Sequence, residues 1–301
     1  MKVFIVGGTG FVGTLLSKKL LEKGHHVTAL ARGRGKGGIE HDKYHFVSAD
    51  AQEKGSWQQA VRDHDAVINL AGVTIFRRWN PKYKQAILDS RILTTRRVVE
   101  ALPDNPAFTF INTSAAGYYG FAGDEECPED SPPGNDFLAQ VCQDWEAEAR
   151  EAEEKNIRMA ITRFGVVLQK SGGALSQMVP AFKMGMGGPL GSGKQWFSWI
   201  HANDLTSAFL FILEHKELDG VFNFVAPNPV TNKGMTKALG KALQRPAFIP
   251  VPGFMLKMVM GEFGDTLLHG QRAVPKRLLD AGFTFKHPEI QPALEHLLKK
   301  G

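Results

Sequence analysis

The sequence predicts an α/β fold in which a doubly wound parallel sheet carries helices on both faces and is joined to a smaller C-terminal lobe. Apolar runs of strand length alternate with amphipathic helical segments over residues 1–166. The first apolar run, residues 3–6, stops at glycines, and a helical pattern begins directly after them. Right-handed crossovers between such strands place every carboxyl end at one rim of the sheet, where ligands of this fold class bind.

The individual elements follow in a regular order. Strands are predicted at residues 3–6, 27–31, 45–48, 66–70, 108–113 and 157–164. Helices are predicted at residues 11–23, 57–62, 81–102 and 137–156. Because the strands are short and apolar and are separated by helices, the pattern is typical of a Rossmann-type sheet.

The alternation of strands and helices ends near residue 167. Residues 172–173 and 184–193 are rich in glycine. Later patterns predict strands at 196–200 and 221–225 and helices at 203–214, 235–244, 254–261 and 290–299. We therefore expect a first domain over residues 1–166 and a smaller, interleaved lobe over residues 167–301.

The turn after the first strand suits the pyrophosphate of a dinucleotide. Gly7 lets the chain turn sharply, Gly10 lets the backbone approach the pyrophosphate, and Gly13 lets the helix pack against the strand. The helix N-terminus adds unpaired N–H groups and a partial positive charge. The predicted cofactor contacts in this turn are Gly7, Gly8, Thr9, Gly10, Phe11, Val12 and Gly13.

The end of the second strand distinguishes the two nicotinamide dinucleotides. A carboxylate there binds the ribose hydroxyls of NAD(H), whereas an arginine accommodates the 2′-phosphate of NADP(H). The chain has Arg32 at this position, Arg34 two residues later, and no acidic residue before Glu40. Because a guanidinium fork matches a phosphate, we predict NADP(H) with Arg32 as its main contact. The alternative is a solvated basic turn.

Composition limits the other classes of function. The chain has 301 residues, 43% of them hydrophobic, a net charge of +5 and a pI near 9.1. The basic run at 32–36 is short and lacks interleaved aromatics, so no nucleic-acid partner is expected. No apolar run reaches the length of a membrane span, so no membrane partner is expected either. The pair His25-His26 has no further ligands at metal spacing, and no metal is expected.

The two cysteines, Cys127 and Cys142, are too few for a disulfide framework or a zinc site. The N-terminal apolar run is interrupted by glycines, unlike a signal peptide. Both observations favour a reducing compartment, and we expect a cytoplasmic protein.

Four stretches together resemble extended short-chain dehydrogenases/reductases of the epimerase/dehydratase type. These stretches are the glycine turn at 7–13, Asn-Leu-Ala-Gly at 69–72, residues 113–120, and Trp-Ile-His-Ala-Asn-Asp-Leu at 199–205. A fifth stretch, 261–285, resembles the C-terminal segment of one atypical branch of this family. In that family His201 and Asp204 belong to an element that is mainly structural.

The resemblance implies further cofactor contacts beyond the glycine turn. Their positions in this chain are Asp50, Ala51, Leu70, Ala71, Gly72, Arg91 and Arg163. The first two would lie at the adenine, and the next three would line the pyrophosphate and ribose. Arg91 would lie near the centre of the cofactor and Arg163 near its nicotinamide end.

The chain departs from the family in its catalytic residues. Members of this family use a serine or threonine, a tyrosine that transfers the proton, and a lysine that lowers the pKa of the tyrosine. Alignment to the motifs places Ala115, Leu138 and Cys142 at these three positions. The remaining catalytic candidates nearby are Tyr118 and Ser114, with a packed aromatic as the alternative interpretation of Tyr118.

Two functions follow from these expectations. The first is an NADP(H)-dependent oxidoreductase or epimerase that acts on a small polar, sugar-like substrate. The second is an NADP(H)-dependent sensor or regulatory binding protein that has lost its catalytic groups. In both cases the expected partner is a small molecule, and the chain is expected to be a monomer or a homodimer.

Overall fold

A computed structural model describes residues 1–33, 35 and 37–299. Its centre is a seven-stranded sheet in which all neighbouring strands are parallel. Across the sheet the strands are β11 (Gly220–Phe224), β7 (Arg158–Phe164), β5 (Thr109–Ala115), β4 (Ala66–Asn69), β1 (Lys2–Val6), β2 (His26–Ala31) and β3 (Tyr44–Ser48). The strand order reverses between β1 and β4, which confirms the predicted doubly wound sheet.

Helices cover both faces of this sheet because successive strand residues point to opposite sides. Val3 and Ile5 of β1 face one hydrophobic core, and Phe4 and Val6 face the other. The first core is covered by α1 (Phe11–Glu22) and α6 (Ala202–Glu214). The second core is covered by α2 (Trp57–Arg62), α3 (Pro81–Ala101) and α4 (Phe137–Arg150).

The smaller elements belong mostly to the second half of the chain. The strands are β6 (Glu126–Cys127), β8 (Val166–Gln169), β9 (Trp196–Phe197), β10 (Trp199–His201), β12 (Val230–Thr231) and β13 (Arg272–Ala273). The helices are α5 (Gly173–Lys183), α7 (Asn232–Leu243), α8 (Gly253–Met260), α9 (Glu262–Thr266), α10 (Lys276–Asp280) and α11 (Ile290–Leu298).

The two halves of the chain are interleaved. Strand β11 and helix α6 follow residue 167 in sequence, yet β11 pairs with β7 in the main sheet and α6 packs on the same face as α1. In the other direction, β6 from the first half pairs with β13 near the C-terminus.

Several elements differ from the sequence prediction, among them the short strands β6, β8, β12 and β13 and the short helices α9 and α10, which were not predicted. The strand expected at 196–200 divides into β9, which pairs with β12, and β10, which pairs with β8. Helix α5 was not expected, because its first residue belongs to a glycine pair. Helix α4 ends at Arg150, and the residues up to Lys155 form a 3-10 helix. Within the described ranges, no helix combines the length and the apolar character needed to cross a membrane.

Candidate cofactor and active site

The glycine turn has the geometry of an anion site. Gly7 has a φ of +78°, and a Cβ at this position would lie 3.1 Å from the carbonyl group of Leu70. Gly10 precedes α1 in an extended conformation and has no side chain to occupy the first N–H groups of the helix. The first turn of α1 also contains no acidic residue. These N–H groups are therefore available to a phosphate.

The other residues of this turn pack against neighbouring segments. A Cβ at Gly8 would lie 2.5 Å from the Cβ of Ala29, and Gly13 lies against the Gly7 carbonyl, so both glycines allow close packing. The ring of Phe11 lies against Gly172 and Gly173 of the second half of the chain. Val12 packs on the first core, and the Thr9 backbone lies beside Gly37.

Arg32 lies at the carboxyl end of β2, beside the end of β3. Its side chain is 65% exposed, and its Nη1 is 3.9 Å from an Oδ of Asp50. The other Oδ of Asp50 accepts the N–H of Gln52. Ala51 is buried in the second core, so its contact with a ligand could come only from the backbone. Arg34, in the same basic turn, lies outside the described residues.

Arg91 lies beside the loop that follows β4. A Cβ at Gly72 would lie 3.1 Å from the Arg91 guanidinium carbon. Arg91 donates to the carbonyls of Val73 at 3.3 Å and Ile87 at 3.0 Å, and its guanidinium lies 5.2 Å from the ring centre of Trp145. Arg91 therefore joins α3, α4 and the loop of residues 70–73 and places a cation beside the end of β4.

A buried residue that the sequence analysis did not select supports the same loop. Asn69 donates to Thr95 at 2.9 Å and to Asn112 at 2.8 Å, and its carbonyl oxygen accepts the N–H of Ala71. Trp145 also donates to Thr95. The signal in the sequence was an asparagine at the end of an otherwise apolar strand, where a side-chain amide must find partners.

The positions of the missing tyrosine and lysine lie on one face of α4. Leu138 lies over the backbone of Gly117. Cys142, one turn later, is 4% exposed, and burial raises the pKa of its thiol to about 12. A neutral, buried thiol supplies neither a proton at neutral pH nor a fixed positive charge.

Arg163 and Ser114 are parts of one buried polar network. Arg163 is 2% exposed and binds the two carboxylate oxygens of Glu146 through Nε and Nη2, both at 2.8 Å. Its Nη1 donates to the Tyr119 hydroxyl and to the Glu129 carbonyl, both at 3.0 Å. Ser114 is 1% exposed and donates to Glu146 at 2.7 Å. This geometry gives no support to the expected cofactor contact of Arg163 or to a catalytic role of Ser114.

The two adjacent tyrosines have different environments. Tyr119 is buried, its hydroxyl donates to Asn223 at 2.7 Å, and burial raises its pKa to about 12. Tyr118 is partly exposed, and its ring covers the Arg163 guanidinium at 3.4 Å from the ring centre. Among the described residues, none hydrogen-bonds the Tyr118 hydroxyl. Tyr118 is therefore the phenol that a ligand can reach.

The residues His201 and Asp204 are structural, as the resemblance implied. His201 caps α6, since its Nδ1 accepts the N–H of Asn203 at 3.0 Å. Asp204 is 1% exposed and accepts the N–H groups of Lys286 and His287, both at 2.9 Å. These contacts attach the C-terminal segment to the start of α6.

Comparison with protein families identifies both parts of the chain. Residues 3–224 match the NAD dependent epimerase/dehydratase family, which covers the seven-stranded sheet and the glycine turn. The chain belongs to this family. Residues 251–297 match a domain of unknown function, DUF1731.

Relatives are similar over nearly the whole chain. An epimerase family protein, the chloroplastic SDR39U1 homolog of Arabidopsis thaliana, is 40% identical, with 99% of this chain and 87% of the relative covered. The epimerase family protein YfhF of Bacillus subtilis is 37% identical, with 99% and 98% covered. The chain is therefore an SDR39U1-like member of the family, which confirms the resemblance to an atypical branch.

Solved structures agree with this assignment. The crystal structure of human SDR39U1 (isoform 2) with NADPH has a TM-score of 0.88 and 35% identity over 99% of both chains. A UDP-glucose 4-epimerase from Thermus thermophilus, in complex with NAD, has a TM-score of 0.80 at 18% identity, with 99% and 98% covered. At that identity the likeness shows the fold alone.

Proposed function

We propose that this chain binds NADP(H) at the carboxyl rim of its sheet. The observation that carries the proposal is the N-terminus of α1, which follows Gly7 and Gly10 and has no side-chain cap. Because these glycines have no side chains, a pyrophosphate can approach the backbone N–H groups closely. The human relative whose structure contains NADPH supports the same cofactor. The residues present fit the group, because no acidic residue occupies the first turn of α1.

Two arginines supply the charge for the rest of the cofactor in this proposal. Arg32, exposed at the end of β2, binds the 2′-phosphate and separates from Asp50, whose carboxylate is only 3.9 Å away. Arg91 keeps the 70–73 loop in place, so that the backbone of Leu70, Ala71 and Gly72 lines the pyrophosphate and ribose. Asp50 and the Ala51 backbone remain proposed contacts at the adenine.

The proposed activity is an oxidoreductase or epimerase reaction. NADP(H), when bound, supplies or accepts the hydride. Tyr118 holds or delivers the proton at the substrate oxygen, because its hydroxyl is the phenol not committed to the protein among the described residues of this region. Leu138 lies over Gly117, the residue before Tyr118, and in this proposal its apolar side chain limits the access of water.

The second candidate function is an NADP(H)-dependent sensor. It is favoured by Leu138 and Cys142, which stand where the family has its proton-transferring tyrosine and its lysine. It is also favoured by the contacts of the C-terminal segment with the start of α6. In that case cofactor binding would occur without turnover.

The test is NADPH oxidation and NADP⁺ reduction with a panel of carbonyl compounds, alcohols and sugar nucleotides. Tyr118→Phe is expected to lower kcat by about 100-fold or more, since it removes a general acid, and to leave the Kd of NADPH unchanged. Tyr44→Phe, which also removes one phenol hydroxyl but in β3, is the matched control and keeps full activity. Full activity in Tyr118→Phe would contradict the role of Tyr118, and NADPH binding without turnover would favour the sensor.

The expected location and assembly remain proposals. Both cysteines are free and buried, which agrees with a reducing compartment and the proposed cytoplasmic location. One relative is described as chloroplastic. A monomer or a homodimer is proposed, and the molar mass in solution is the measurement that distinguishes them.

A further inference from the structure

A continuous apolar surface lies on the second half of the chain. Helix α8 has no buried residue, although seven of its eight residues are apolar or glycine. The side chains of Phe254, Met258 and Val259 are 67%, 69% and 68% exposed, and that of Met255 is 46% exposed. Side chains at these spacings form one stripe along a helix, so α8 presents an apolar stripe outward.

Neighbouring segments extend this stripe. Phe248 and Ile249, just before α8, are 75% and 49% exposed. Met184 and Met186, after α5, are 65% and 55% exposed, and Gly188 lies directly against the backbone of Ile249. We call these eight side chains the apolar surface: Met184, Met186, Phe248, Ile249, Phe254, Met255, Met258 and Val259. Soluble proteins rarely leave so many large apolar groups together without a ligand or partner.

The helix that carries half of the apolar surface is joined to the proposed active site by a cluster of apolar side chains. Met260, the last residue of α8, packs into a hydrophobic cluster with Trp79 and Phe263. The same cluster includes Val73, beside Gly72 and Arg91, and Leu138, which lies over Gly117. Packed apolar side chains therefore connect the surroundings of Leu138 and Gly117 with the end of α8.

The part of this surface next to the ends of α5 and α7 is basic, whereas Glu262 and Asp265, each paired with a lysine, follow α8. No Asp or Glu occurs between Glu154 and Asp204, or between Asp219 and Glu262. Lys183 adjoins Met184, Lys241 and Arg245 precede Phe248, and all three cations are exposed. The contact of Gly240 with Ala247 places the end of α7 next to the segment that carries Phe248. The charge is therefore complementary to an anion next to an apolar body.

We propose that the substrate of this protein is an anionic amphiphile, with an apolar chain that lies on the apolar surface and a phosphate or carboxylate near Lys241 and Arg245. This inference rests on the proposed function and replaces the small polar substrate expected from the sequence. Flexible methionines suit a chain of variable shape, because the thioether adapts to irregular contacts. Lys257 is already paired with Asp265 at 2.8 Å and is not part of the anion site.

The test is calorimetry on the NADPH-saturated protein with decyl phosphate below its micelle concentration. Inorganic phosphate and UDP-glucose are titrated in parallel. Decyl phosphate is expected to bind and the other two are not. Phe254→Ser/Met258→Ser is expected to weaken decyl phosphate at least tenfold, whereas Leu279→Ser, which changes an exposed leucine on α10, leaves its Kd unchanged. Lys241→Gln/Arg245→Gln is expected to weaken it severalfold, whereas Lys18→Gln/Lys23→Gln, which changes two exposed lysines on α1 and directly after it, does not.

The other outcomes overturn the inference in different ways. Binding of UDP-glucose but not decyl phosphate would restore a sugar-like substrate and leave the oxidoreductase proposal intact. Sedimentation with phosphatidylglycerol vesicles, without binding of monomeric decyl phosphate, would make the apolar surface a bilayer contact. Absence of NADPH binding in the same titrations would contradict the proposed function itself, whichever amphiphile binds.

Discussion

At the scale of single residues, two arginines bind glutamates with the same geometry but differ in burial. Arg163 has the same bidentate contact with a carboxylate as Arg96, which binds Glu148 at 3.0 and 2.7 Å. The Arg163–Glu146 pair is 3% exposed on each side, whereas Arg96 is 48% exposed. Water screens the attraction between Arg96 and Glu148, whereas the buried attraction between Arg163 and Glu146 is not screened.

This comparison predicts a large difference in stability. Arg163→Met is expected to lower the free energy of unfolding by about 3–5 kcal/mol, because the buried Glu146 carboxylate loses its close cation and keeps only Ser114 and a longer contact with Arg150 at 3.6 Å. Arg96→Met, the control with the same chemical change, is expected to cost less than about 1 kcal/mol. Chemical denaturation measures both. Adding Glu146→Gln to Arg163→Met should recover part of the loss, and equal effects of the two arginine variants would contradict the buried network.

Arg32 carries the second prediction at this scale. Arg32→Gln is expected to weaken NADPH binding at least about tenfold, since it removes a charge-assisted contact worth roughly 1.5–3 kcal/mol, and to leave NADH binding unchanged. Calorimetry with both dinucleotides measures this. Lys18→Gln, which removes an exposed cation from α1, is the control. An equal effect on both dinucleotides would mean that Arg32 does not recognise the 2′-phosphate.

At the scale of elements, helix α6 begins at His201, and the hydrogen bonds of its ring fix which nitrogen carries the proton. The Nδ1 of His201 accepts the N–H of Asn203, so the proton of the neutral ring is on Nε2, which donates to Nδ1 of His296 at 3.2 Å. Burial lowers the pKa of His201 to about 3, and the neighbouring imidazoles His287 and His296 contribute to the same shift.

The sign of the resulting pH dependence follows from proton linkage. Between the ordinary histidine pKa of 6.5 and about 3, the unfolded chain binds a proton at His201 that the folded chain does not, so stability falls as the pH falls. From this group alone the loss at pH 5 is roughly 2 kcal/mol.

His201→Asn is expected to remove this dependence, because an asparagine can still cap α6 but does not titrate. The difference in Tm between pH 7.5 and pH 5 should therefore be smaller in the variant than in the parent. His26→Asn, at an exposed position in β2, should leave that difference unchanged. The same difference in His201→Asn and the parent would show that His201 is not the titrating group.

At the scale of the whole molecule, the C-terminal segment is part of the main core. Leu278, Phe283 and Phe285 are buried in the core that α1 and α6 form on the sheet. Glu129, in the first half of the chain, accepts the N–H groups of Asn223 at 3.0 Å and Arg277 at 3.2 Å. The segment matched by DUF1731 thus contributes to the core of the main sheet as well as to the hydrophobic cluster around α7.

Removal of this segment is therefore expected to prevent cooperative folding. Deletion of residues 270–301 should abolish the thermal unfolding transition followed by near-UV circular dichroism, because it exposes the apolar face of α6. Deletion of residues 299–301 is the control and should leave the transition in place. A cooperative transition within a few degrees of the parent Tm in the long deletion would show that the first 269 residues fold independently.

Some elements were predictable because their signals are local. The glycine turn, α3 from Pro81 and the strands of the parallel sheet follow from periodicity, helix starts and glycine positions. Helix α5 and the division of the strand at Ser198 were not predictable. The first begins in a glycine pair, and the second depends on pairing with two different partners, β8 and β12. Pairing across a long sequence separation leaves little local signal.

The sequence by itself determined the family, the doubly wound parallel sheet and the turn suited to a pyrophosphate, because these depend on residue type and spacing along the chain. Only the tertiary structure decided which side chains are available. It committed Ser114, Arg163 and Tyr119 to a buried network, left the Tyr118 hydroxyl without a described partner, and exposed α8. Whether a ligand can reach a side chain depends on burial and on hydrogen-bond partners from distant segments. Neither can be predicted from the spacing of neighbouring residues in the sequence.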